Sequence, residues 1–153
     1  MGYARREFLR LLSGLSLLSS TASGDTNDLI VVVHPKVPVS ALDELELEAI
    51  FRTLRRFWGG SSPILPFNLP PKTPLRVAFD LAVLRMDPQQ VARFWLDRRV
   101  RSGPPPPRQA PDPTTLVRLV ARLEGAIGYA PLGTPLKDVR PVARILSGKV
   151  HEP

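Results

Sequence analysis

The apolar positions of the chain fall into blocks with two different periods. Leu29-Ile30-Val31-Val32-Val33 is continuous, largely β-branched and stopped by Pro35. A run of this length without polar alternation predicts a strand covered on both faces, the kind found in α/β domains. Ala126-Ile127-Gly128-Tyr129-Ala130 predicts a second strand. Ile64-Leu65-Pro66-Phe67 and Val139 to Leu146 each contain a proline, Pro66 and Pro141, so both are expected at sheet edges.

Four other segments carry the helical period. Ser40 is expected to cap a helix that starts at Ala41-Leu42-Asp43-Glu44, with its acidic residues at the positive end and Arg52, Arg55 and Arg56 in its last turns. Its apolar face would be Leu42, Leu45, Ala49, Ile50 and Leu54. Leu75, Ala78, Phe79, Ala82, Val83 and Met86 recur at helical spacing, with Arg76 four residues before Asp80. Pro88 opens a third helix with Val91, Phe94 and Trp95 as its stripe, and Pro113 a fourth with Leu116, Leu119, Val120 and Leu123. Gly59-Gly60-Ser61-Ser62-Pro63 is a turn, Gly125 ends the fourth helix, and Gly103 followed by Pro104 to Pro107 is an extended, polyproline-like connection. The fold class is therefore α/β, a small mixed sheet flanked by helices in a single domain over residues 24–153.

Residues 1–23 form a different kind of segment. Arg5-Arg6-Glu7-Phe8-Leu9-Arg10 precedes a short apolar run, Leu11 to Leu18, and a small-residue exit through Ser23. This is the three-part layout of a signal peptide. Arg5, Arg6, Phe8 and Leu9 resemble the twin-arginine motif, with Ala4 where a serine is common. The run is too short for the roughly 20 residues that a membrane-spanning helix requires. Cleavage after Ala22 or after Ser23 satisfies the small-residue rule equally. Export to the periplasm or another extracytoplasmic space by the twin-arginine route is expected, with no membrane span remaining after cleavage.

Composition narrows the chemistry. Among 153 residues there is no cysteine and there are two histidines, His34 and His151, which excludes disulfides, thiolate metal sites and a cysteine nucleophile and argues against a multi-histidine metal centre. No catalytic triad, nucleotide loop or cofactor motif is visible, so no enzyme activity and no cofactor are expected. The net charge is +7, and without the first 23 residues 18 basic side chains still face 13 acidic ones. That balance favours anionic partners, although a solvated basic surface is its commoner meaning. Arg93, Arg98, Arg99 and Arg101 beside Trp95 form a basic stretch, read as a solvated face, with no nucleic-acid partner expected for an exported chain.

The order of motifs resembles the phosphate-type solute-binding proteins of ABC importers. Glu44-Leu45 through Ala49-Ile50-Phe51, then Phe57-Trp58-Gly59-Gly60, are similar to a helix and tryptophan-bearing turn of that family. Ile64 to Phe67, Arg76 to Phe79, Phe94-Trp95, Ser102-Gly103 with its prolines, and Gly125-Ala126-Ile127-Gly128-Tyr129 complete the series. The resemblance implies one lobe of a type II periplasmic binding protein. Family members hold phosphate between two lobes, and only one is represented here. Where they carry an arginine and a Ser-Gly-Thr turn, this chain has Asn68-Leu69-Pro70-Pro71-Lys72-Thr73-Pro74, and Pro74 has no N–H to donate.

The resemblance thus implies a solute-binding-like protein, accessory to uptake of phosphate or another oxyanion, with a degraded site. Lys72, Thr73 and Arg76 are the candidate ligand residues for a weak anion site, a hydroxyl between two cations. The opposing reading is that Thr73 only caps its helix and Arg76 only pairs with Asp80. An alternative function is a periplasmic interaction module, a lobe that has lost its cleft and binds another envelope protein without any small-molecule ligand. Trp58 is expected to close one end of the core, His34 to be structural, and the acidic run from Asp43 to Glu48 to be solvated.

Overall fold

The structure is a computed structural model that describes residues 27–153. The motif Arg5, Arg6, Phe8, Leu9 and the rest of the expected signal segment lie outside the described residues.

Among the described residues eight strands and four α-helices follow one another as β1 (Leu29–Val33), α1 (Glu44–Phe51), β2 (Phe57–Gly59), β3 (Ser62–Pro63), β4 (Leu65–Asn68), α2 (Pro74–Phe79), α3 (Pro88–Val100), β5 (Arg108–Gln109), α4 (Pro113–Arg122), β6 (Ala126–Pro131), β7 (Arg140–Leu146) and β8 (Lys149–His151). Six strands form one mixed sheet in the order β5-β4-β6-β1-β7-β8, and β2 with β3 forms a separate hairpin. Strand β1 runs antiparallel to both neighbours, Leu29 facing Pro131 on one side and Ile145 on the other. All five of its residues are buried, as an unbroken apolar run requires. The mixed sheet, the flanking helices and the central placing of the Leu29–Val33 run agree with the α/β expectation.

The two proline-bearing strands are not edges. Strand β4 lies between β6 and the two-residue β5, and β7 lies between β1 and β8. Proline is tolerated in each for a local reason. Strand β4 pairs with β6 over only two residues, Leu65 and Pro66. The β1–β7 register skips one residue between Val31 and Val32, so Pro141 stands beside a bulge. The polar brevity of β5 and β8 concealed the true edges.

Helix α1 starts later than Ser40. Asp43 is the cap: its carboxylate accepts from the Glu46 N–H at 2.8 Å, and the Glu46 carboxylate accepts from the Asp43 N–H at 3.0 Å. This reciprocal box outcompetes a serine three residues upstream. The buried face is consequently Leu47, Ile50 and Phe51, with Leu42 buried ahead of the cap, while Leu45 and Leu54 are exposed. The helix ends at Phe51, so Arg55 and Arg56 fall beyond it. Asp87 and Asp112 cap α3 and α4, each with proline at the first helical position. The Thr115 N–H donated to Asp112 holds that carboxyl below its ordinary value. After Phe79 the chain of α2 widens into a π-helical turn, Asp80–Leu84, which Arg85 ends in the left-handed conformation.

Glycine is required at two points of β6 and its approach. Gly125 has φ of +87°, and a Cβ there would collide with the Pro63 carbonyl oxygen. Its own carbonyl accepts from Trp58 Nε1 at 2.9 Å and from the Leu65 N–H at 3.0 Å, tying the hairpin to the sheet. Trp58 is buried, so it closes one end of the core as expected. At Gly128 a Cβ would strike Leu116 of α4, which packs directly over the strand. The core centres on three rings: Phe79 stacks on Tyr129 with centroids 3.9 Å apart, and Phe51 meets Phe79 edge-on at 4.6 Å.

Candidate functional site

The loop after β4 carries Lys72 and Thr73 and leads into α2 with Arg76, and two buried anchors define its path. The Tyr129 hydroxyl donates to Asn68 Oδ1 at 2.6 Å and accepts from the Leu69 N–H at 3.3 Å. Burial pushes the Tyr129 phenol far above its ordinary value, so it acts as a neutral donor. Arg76 closes the loop from the other side, donating Nε to Asp80 Oδ2 at 2.6 Å and Nη1 to the Leu69 carbonyl at 2.8 Å. Arg76 and Asp80 are one helical turn apart and their side chains are only 7% and 6% exposed. This is a buried ion pair, not a pair of surface charges.

Asp80 is strained electrostatically. Its burial raises the carboxyl above its ordinary value, and the Arg76 guanidinium pulls in the opposite direction without cancelling that rise. Its second oxygen, Oδ1, is buried without a hydrogen-bond partner among the described residues.

Lys72, Thr73 and Arg76 are placed differently from one another. Lys72 is exposed and in the left-handed region, with φ of 70°. The Thr73 hydroxyl does not cap α2; it turns back to donate to the Pro70 carbonyl at 2.8 Å. Pro74 occupies the first helical position and supplies no N–H. Lys72 and Arg76 do line one groove, together with Asn68, Asp80, Trp95 and Gln109, and Thr73 is not part of its lining. The groove lies between the loop, α2, α3 and the proline connection. Asn68, Asp80 and Gln109 line it as well, outside the set of residues that the sequence predicts. Asp80 was legible at four residues from Arg76. Asn68 depends on Tyr129, 61 positions later, and no local signal marks it.

The other candidates resolve into structural roles. The His34 Nδ1 accepts from the Lys36 N–H at 3.2 Å. Of the acidic run, Asp43 caps, while Glu44 pairs with Arg85 and Glu48 with Arg52. The basic stretch is not uniformly solvated: Arg98 donates to the Arg52 carbonyl and the Thr53 hydroxyl and lies over the rings of Phe94 and Trp95. Among the described residues there is no group of three or more potential metal ligands, and no helix is long and apolar enough to cross a membrane.

No protein-family model matches the chain, and no curated protein matches it in sequence. Solved structures do. An ABC-type phosphate transport receptor from Vibrio cholerae superposes with a TM-score of 0.59 at 18% identity, over 74% of this chain and 44% of that one. A putative phosphate ABC transporter substrate-binding protein with bound phosphate from Clostridium perfringens gives 0.59 at 19%, over 74% and 43%. PstS from Borrelia burgdorferi gives 0.59 at 15%, over 74% and 46%. The chain therefore spans less than half the length of the structures it matches. What this establishes is the fold: the described residues form a mixed α/β unit with the architecture of a single lobe of the phosphate ABC transporter substrate-binding proteins.

Proposed function

We propose that this chain is an exported, solute-binding-like protein, accessory to oxyanion handling outside the cytoplasm, and not an enzyme. The observation that carries this reading is the groove in which Lys72 and Arg76 meet the polar side chains of Asn68 and Gln109. Binding there is weak for three reasons. Arg76 is already answered by Asp80, the Thr73 hydroxyl is committed to Pro70, and Pro74 withholds an N–H. Lys72, an exposed cation, acts in a screened environment.

One or two charge-assisted hydrogen bonds, each about 1.5–3 kcal/mol, give a total on the order of −4 kcal/mol, or millimolar affinity. Calorimetry with phosphate and with sulfate on residues 24–153 checks this, and Lys72→Ala is the control because that side chain is exposed. A micromolar constant would refute the degraded site. Heat that is absent, or unaffected by Lys72→Ala, would refute oxyanion binding by this groove.

Export rests on Arg5-Arg6 ahead of the short apolar run. Changing both to lysine should retain precursor in the cytoplasm, as read by fractionation. An unaltered extracytoplasmic pool would remove the twin-arginine assignment.

A further inference from the structure

We infer that helix α3 and the proline connection behind it form a docking groove for an acidic, amphipathic segment of a partner protein. Of the 13 residues of α3, only Val91 is buried. Ala92, Leu96 and Val100 follow one another at intervals of four and so share one face, and Leu96 and Val100 are 61% and 76% exposed. An apolar stripe on the outer side of a helix has no role in the chain's own core.

The surroundings of the stripe specify its occupant. Trp95, Leu96 and Arg99 form one wall of a groove whose other wall is Pro104 to Pro106. A proline wall offers ring faces and carbonyl groups but no N–H donors. It therefore selects apolar side chains and not a partner's backbone strand. Charge selects the rest. Arg93 and Arg99 have no carboxylate within ion-pair distance among the described residues, and neither have Arg56 and Arg108, which line a second groove that shares the same prolines. The acidic side chain nearest in sequence, Asp97, is held by Arg101 at 3.2 Å. Uncompensated arginines flanking an apolar groove are complementary to alternating carboxylates and large apolar side chains.

Two other anionic surfaces fit less well. A lipid bilayer is met by a protruding apolar face, whereas Leu96, at the centre of this stripe, lines a groove against Pro104 to Pro106. Single-stranded nucleic acid is held by bases stacked on free aromatic planes, but Trp95 is packed edge-on to Phe94 at 4.9 Å with Arg98 over its ring. The docking groove shares Ala92, Trp95 and Pro106 with the anion groove, but Leu96 and Arg99, which the test changes, do not line the latter.

The test uses the full chain and a fluorescein-labelled peptide of repeated Leu-Glu-Glu units, with fluorescence anisotropy as the readout. Binding is expected to fall at least ~tenfold when glutamine replaces glutamate in the peptide, and by a similar factor in Arg93→Glu/Arg99→Glu and in Leu96→Ser. All three positions are exposed, so circular dichroism should show the fold unchanged. The peptide should also shift the emission of Trp95, a shift that Trp95→Phe removes. Equal binding of the glutamine peptide, or indifference to the charge reversals, would overturn the proposal. So would sedimentation with phosphatidylglycerol vesicles in the absence of any peptide binding.

Discussion

Phe79→Ala should lower the unfolding free energy by about 3–5 kcal/mol, measured as a shift of the urea midpoint at constant slope. The side chain is fully buried, stacked on Tyr129 with an interplanar angle of 3° and in edge contact with Phe51. Truncation removes the transfer energy of the ring and leaves a cavity that two other rings cannot fill without leaving their own contacts. The lost aromatic pairing adds about 0.5–1.5 kcal/mol to the same deficit. The Tyr129 hydroxyl positions Asn68 and Leu69, so the damage should also spread to the loop that lines the anion groove. A loss below about 1 kcal/mol, the scale of an ordinary surface change, would show that this ring cluster does not organise the core.

Arg76→Ala should be comparably severe near neutral pH, about 3–5 kcal/mol, because it leaves Asp80 buried without its counter-ion. The pH dependence carries the diagnostic sign. Asp80 has its folded-state value raised by burial, so the folded chain holds that proton more tightly than the unfolded chain does. The group's contribution to stability is greatest below the ordinary carboxylate value of 3.8 and declines as pH rises through the raised folded value. Without Arg76, the one pull in the other direction is gone and the interval of decline extends further upward. The variant should therefore lose less stability in acid than at neutrality. Replacing the pair together, Arg76→Met with Asp80→Leu, should cost far less than Arg76→Ala alone, since no charge is then stranded. Equal losses for the single and the paired change would mean that the ion pair is not coupled.

The elements most legible in the sequence were those whose signal is local and unambiguous. An uninterrupted apolar run at Leu29–Val33 has no place but the middle of a sheet, and proline in the first turn marks the starts of α3 and α4. Harder were the places where two local signals compete. Ser40 and Asp43 are both capping residues, and the reciprocal partner Glu46 decides between them. The true edges carry no sequence signal, because the strands that cover β4 and β7 are two and three residues long, too short to show alternation. The candidate site was half legible. Arg76 and Asp80 at four-residue spacing announce a pair, but only packing shows that the pair is buried and that Thr73 turns away from the groove. Trp95 and Phe94 read as a buried stripe, whereas both are only partly covered and Arg98 lies over both rings.

The position of β1 has a kinetic consequence. Its two partners, residues 126–131 and 140–145, come about a hundred positions later in the chain. No hairpin bridges that interval, so the central ladder forms only by closing long loops, whose entropy is lost before the pairing is gained. The preceding helices have no completed sheet to pack on until then. Folding should accordingly be slow and concerted, with little stable structure in chains that stop short of β6 and β7. Throughout that delay the Leu29–Val33 run, five apolar residues without a charge, stands uncovered as a strand-forming segment open to pairing with other copies. This aggregation-prone stretch is synthesised before both of the strands that shield it.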